Sequence, residues 1–192
     1  MDALFASSQG SKGMLEIDNC CLIVVDVQGK LAQLMTDKDA LFKNIQILIQ
    51  AARILEIPIL WCQQVPKALG PTIPEVAGLL TGIEPIDKAS FSCCGQEQFH
   101  TALDSLGRKQ ILLCGIEAHV CIYQTAADLL GRGLDVTVVA DAVSSRTAQN
   151  KQIALTRLAT EGAHVSSTEM ALFELLQTAK HAQFKPIARL VK

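Results

Sequence analysis

The sequence predicts an α/β fold built on a doubly wound, mostly parallel sheet with helices on both faces. Three observations carry that expectation. Apolar, strand-like runs alternate with helix-like segments from one end of the chain to the other. The composition is 49% hydrophobic yet only 4% aromatic, so the core is drawn from Ile, Leu, Val and Ala, as in buried parallel strands. At 192 residues, with no internal repeat and no change of composition, the chain fits one domain able to bury roughly 70% of its unfolded surface.

CCLIVVDVQ, residues 20–28, is a short β-branched run that reads as a first central strand, with Asp26 at its carboxyl end. Downstream, Leu41, Ile45, Leu48, Ala52 and Leu55 recur at helical spacing, with Thr36 as the expected cap, two acids in the first turn and Pro58 as the stop. IPILWCQ is a second strand. QVPKALGPTIPEVAGLLTG then carries three prolines and three glycines and reads as a long functional loop holding one short helix.

IEPIDKASFS is a weaker third strand ending near Lys88, and EQFHTALDSLG a helix stopped by Gly107. KQILLCGI is the fourth strand, HVCIYQTAADLLGRG a helix, and LDVTVVADAVSS a fifth strand with Asp141 at its carboxyl end. NKQIALTRLATEG (helix), AHVSS (short last strand) and STEMALFELLQTA (helix) follow, and KHAQFKPIARLVK is a basic tail without a clear period. The expected organisation is a flexible leader over 1–13, one domain over 14–178 and a tail over 179–192.

The formal charge is −2 and the isoelectric point about 6.1, with no Lys/Arg run longer than a pair, so neither nucleic acid nor membrane is expected as a partner. A small-molecule substrate is the expectation instead. MDALFASSQGSKG has no positive start and no apolar stretch, and so reads as a leader rather than a signal peptide. Seven cysteines at 20, 21, 62, 93, 94, 114 and 121 form no CxxC pair, which suits reduced thiols in the cytoplasm. The adjacent pairs 20–21 and 93–94 read as structural, because neighbours on a strand face opposite ways.

In open parallel sheets ligands bind at the carboxyl ends of the strands, near the point where strand order reverses. Asp26, Lys88 and Cys121 follow the first, third and fourth strands. In a six-stranded order 3-2-1-4-5-6, Asp26 and Cys121 flank that point directly. A thiol at a helix start, a carboxylate to move its proton and a lysine favouring thiolate form a nucleophilic set. Lys88 must reach across the second strand, about 10 Å from the first, and spacing alone does not establish that reach. Alone, Cys121 also reads as a small core residue.

VVDVQ at 24–28, the lysine of DKASFS at 87–92, and GIEAHVC at 115–121 together resemble the three signatures of the isochorismatase-like cysteine hydrolases, over roughly residues 14–178. The resemblance implies a three-layer α/β/α, Rossmann-like fold and a catalytic triad of Asp26, Lys88 and Cys121, forming a thioester when the substrate is an amide. It further implies a non-proline cis peptide at Ile116–Glu117, with the Glu117 and Cys121 N–H groups as an oxyanion hole. Homo-oligomers are common in the family, and no cofactor is implied. The 63–82 loop and Phe91 are the expected pocket walls.

Nicotinamidases of this fold carry an aspartate and histidines after the second strand that hold a divalent metal. Here WCQQVPKALGPTIPEV offers no histidine and only Glu75, so no metal site is expected. The QVPKALGPTIPE and FSCCG stretches resemble the isochorismatase-domain branch of unassigned substrate, for which retention of Cys121 favours an amide-type or related C–N substrate over vinyl-ether hydrolysis. His119 is not expected to be the base. A non-catalytic oligomeric module using the tail from Lys180 is the alternative from another class. A redox role lacks a resolving thiol, Cys114 lying inside a strand, and one glycine in VQGKLAQ rules out a dinucleotide fingerprint.

Overall fold

β1 (Cys20–Val25) is buried at all six positions, and its side chains alternate between two cores. Cys20, Leu22 and Val24 enter one hydrophobic cluster, Cys21, Ile23 and Val25 the other. The sheet is therefore covered on both faces, and the adjacent cysteines do point apart. In the computed structural model, which describes residues 13–192, the remaining strands are β2 (Ile59–Gln64), β3 (Ile86–Lys88), β4 (Gln110–Ile116), β5 (Asp135–Ser144) and β6 (His164–Ser166). They pair in the order β3-β2-β1-β4-β5-β6, every neighbour parallel. The expected sheet order is the observed one. The leader, Gly13 apart, lies outside the described residues.

The helices are α1 (Gly29–Gln33), α2 (Lys38–Ile54), α3 (Pro66–Leu69), α4 (Pro74–Ala77), α5 (Glu97–Leu106), α6 (Tyr123–Gly131), α7 (Ala148–Thr160), α8 (Thr168–Leu176) and α9 (Phe184–Leu190). Helices α2 and α8 fill one face with residues such as Ile45, Leu48 and Leu172. Helices α5, α6 and α7 fill the other with Phe99, Leu129 and Leu158. No helix among the described residues is long and apolar enough to cross a membrane.

Four local expectations are corrected. The cap of α2 is Asp37 in the left-handed region, with no side-chain cap bond. Thr36 is spent elsewhere, its N–H donating to Ser145 O and its carbonyl accepting from Ser144 Oγ. The 64–82 segment holds two short helices, each opened by a proline, and is pinned by Arg53 to the Leu79 and Thr81 carbonyls, both at 2.7 Å. Asp141 lies inside β5 and caps α8, accepting from Thr168 N at 2.8 Å and Oγ1 at 2.9 Å. The aperiodic tail forms α9, whose Ile187 is fully buried in the α2 face core.

Gly115 brings β1 and β4 together at their carboxyl ends. Its φ is +120°, and a Cβ there would stand 2.0 Å from Val25 O and 2.7 Å from Val25 N. Backbone cannot yield to such a contact, so only glycine fits.

Candidate active site

The strands β1 and β2 each run directly into a left-handed residue. At the end of β1, Asp26 has φ 55°, and at the end of β2, Val65 has φ 36°; for a β-branched residue that is a strained conformation. Asp26 N–H still donates to Cys62 O at 3.0 Å, and its carbonyl accepts from Gln28 N at 2.8 Å. The backbone thus turns sharply at Asp26.

Lys88, the last residue of β3, does cross β2. Its Nζ donates to Asp26 Oδ2 at 2.7 Å, to Gln64 Oε1 at 2.6 Å, to Phe91 O at 3.0 Å and to Ser90 O at 3.3 Å. Asp26 is 2% and Lys88 3% exposed. Facing acceptors on all sides, the ammonium keeps its protons, and the charge of Asp26 raises its pKa above the ordinary value although burial, the largest single influence, opposes this. Burial pushes the Asp26 carboxyl up, and Lys88 pulls it only part of the way back.

Cys121 lies in a wide turn, Ala118–Ile122, that precedes α6. Ile122 N donates to Glu117 O, five residues back, at 3.2 Å. Wide turns of this kind are uncommon and favour functional sites. Cys121 is 7% exposed and its thiol is close enough to Asp26 and Lys88 for each to bear on its titration. Burial first, then Asp26, drive its pKa well up, and Lys88 offsets them only in part. The helix start and the lysine favour a thiolate there, while burial and the Asp26 charge act against it and favour the protonated thiol. Asp26 Oδ1, the oxygen not held by Lys88, is buried without a hydrogen-bond partner.

The Ile116–Glu117 peptide is cis. The Glu117 side chain is occupied by Arg146, with Oε2 accepting from its N–H at 3.0 Å and its Nε at 3.1 Å. His119 Nδ1 shares a 3.0 Å hydrogen bond with Ser145 Oγ. Phe91 contributes its carbonyl to Lys88 while its side chain is 54% exposed.

Gln64, Gln28 and Cys62 join the site without a motif of their own, and Cys93, structural by its sequence, packs against Cys62. Cys62 has its thiol pushed far up by its contact with Cys93 and by burial, and both cysteines are fully buried. Two glutamines closing an otherwise apolar strand were the available signal, since buried polar groups need partners. Among the described residues no group of three or more His, Cys, Asp or Glu side chains is arranged to hold a metal ion.

A doubly wound sheet thus gathers a thiol, a carboxylate and an ammonium at its carboxyl edge. The chain belongs to the isochorismatase family: the Isochorismatase domain matches residues 20–170. It is 42% identical over 180 residues to isochorismatase domain-containing protein 2 of Danio rerio, covering 93% of this chain and 90% of that one. Among solved structures it resembles the MAR1 ribonuclease of Caenorhabditis elegans, with TM-score 0.88 and 36% identity over 93% and 92% of the two chains. The YcaC product of Escherichia coli, described as an octameric hydrolase of unknown specificity, shares the fold with TM-score 0.87 and 23% identity over 92% and 88%.

Proposed function

We propose that this hydrolase cleaves a small amide or related C–N bond through a covalent thioester on Cys121, with Asp26 as the base and Lys88 as a fixed cation. One observation carries the reading: the Asp26 carboxyl sits beside the Cys121 thiol and divides its oxygens, Oδ2 bonded to Lys88 and Oδ1 left without a hydrogen-bond partner.

Cys121 Sγ attacks the substrate carbonyl carbon as its proton passes to Asp26 Oδ1. The C–N bond breaks, the proton leaves on the amine nitrogen, and the acyl group stays as a thioester. Water then attacks the thioester carbon, giving one proton to Asp26. The acid departs and the proton returns to sulfur. The Glu117 and Cys121 N–H groups serve as the oxyanion hole, and Phe91 and the 64–82 segment as the pocket wall. No step calls for a metal or cofactor.

A vinyl ether would not use a thioester, so the Cys121–Asp26 arrangement favours the amide. The ribonuclease named among the similar structures raises RNA as a second substrate, but a charge of −2 without a basic run is a poor match to a polyanion. Seven unpaired cysteines suit a reducing, cytoplasmic setting, and the octameric relative supports reading the chain as a homo-oligomer. The test is a panel of small amides. Turnover should vanish in Cys121→Ala, and turnover that survives that substitution overturns the reading.

A further inference from the structure

We propose that Gln64 is a positioning residue that holds the Lys88 ammonium on the Oδ2 side of Asp26 and so keeps Oδ1 open for the Cys121 proton. The proposal rests on the catalytic reading above and names what enforces its central asymmetry.

The Gln64 side chain can sit only one way round. Its Nε2 donates to Ala89 O at 2.7 Å, which leaves Oε1 as the acceptor facing Lys88 Nζ at 2.6 Å. Three directions around the ammonium are thereby filled: Asp26 Oδ2, Gln64 Oε1, and the paired carbonyls of Ser90 and Phe91. An ammonium has three donors, so none remains to bridge both carboxylate oxygens.

Gln64 is itself clamped. Gln28, fully buried, accepts from Gln64 N at 2.6 Å and donates to Gln64 O at 3.1 Å, and its remaining proton goes to Gly70 O at 2.7 Å. Gln28 N–H in turn bonds Asp26 O. One continuous set of hydrogen bonds therefore runs from the Asp26 turn through Gln28 and Gln64 to Lys88. The strained Val65, whose N–H donates to Lys88 O at 2.9 Å, fixes the next residue along.

The amide also has to be neutral. A glutamate here would set two carboxylates against one ammonium and compete with Asp26 for it.

The test follows Cys121 alkylation by iodoacetamide in mildly alkaline buffer, read peptide by peptide by mass spectrometry. In Gln64→Met, which keeps the volume and loses the acceptor, the freed ammonium proton turns to Asp26 Oδ1. The cation then lies nearer the thiol, and alkylation should accelerate at least about threefold, the equivalent of half a pKa unit. Gln64→Glu should slow it by a similar factor and serves alone if Gln64→Met does not fold. Cys62 and Cys93 must stay unlabelled, which excludes simple opening. Lys88→Met is run beside them and should slow Cys121 at least about tenfold. If Lys88→Met slows alkylation while the Gln64 variants match wild type, Gln64 has no positioning role. If Lys88→Met leaves the rate unchanged, the triad reading itself fails, and this inference with it.

Discussion

Lys88 Nζ stands 2.7 Å from Asp26 Oδ2, and neither side chain is more than 2% exposed. Two charges out of water in this way offer little net stabilisation, because desolvation offsets their attraction. Removing one of them is another matter. Lys88→Met leaves a buried carboxylate with neither Lys88 nor solvent to satisfy it, and urea unfolding should show a loss of about 3–5 kcal/mol. A loss under about 1 kcal/mol, typical of a surface pair, would contradict the burial described.

Gly115→Ala should be among the most damaging single-methyl changes in the chain. The added carbon would overlap the Val25 carbonyl from a backbone with φ +120°, and no rotamer relieves it. A cost of at least about 3 kcal/mol is expected from urea unfolding. Wild-type stability would mean that β1 and β4 do not approach as described.

Alkaline pH should destabilise the fold. Burial raises Cys20 and Cys21 from an ordinary 9.0 to about 12. Above 9 the unfolded thiols release protons that the folded ones retain, so the unfolded chain binds fewer protons and stability falls as pH rises. Each thiol contributes about 1.4 kcal/mol per pH unit until the folded pKa is reached. Urea midpoints measured across this window should drop steadily, and a flat profile would show that these thiols are not desolvated.

Ile187→Ala should destabilise by about 2–4 kcal/mol, since Ile187 is fully buried. A negligible effect would restore the tail to the role of a detachable docking element.

That tail shows where the sequence stops being legible. Asp26, Lys88 and Cys121 were readable because each follows an apolar run, and the ends of such runs converge in a parallel sheet. The strand order followed from the same alternation. Ile187 was not readable, because α9 is two turns long with a proline inside, too short for a periodic pattern. Thr36 looked like a helix cap and is instead tied to the end of β5 by hydrogen bonds that sequence spacing cannot reveal. Gln64 was hidden for a further reason. A glutamine at a strand end passes for the start of a loop, and its role depends on Lys88 arriving from a strand twenty-four residues later. Cys121 stands out for its place at a helix start, yet burial first, and the Asp26 carboxyl second, act to keep the thiol protonated.

The claim at the centre is that Asp26 takes the proton from Cys121 as the thiol attacks. Its most direct test is rapid-quench mass spectrometry of the Cys121 peptide, with wild type and Asp26→Asn given the same small amide under single-turnover conditions. An acyl adduct on Cys121 is expected in wild type and, in Asp26→Asn, acylation slowed by about 10²-fold or more while iodoacetamide still alkylates the thiol at least as fast as before. Acylation of Asp26→Asn at the wild-type rate, or wild-type turnover with no adduct on Cys121, would contradict it.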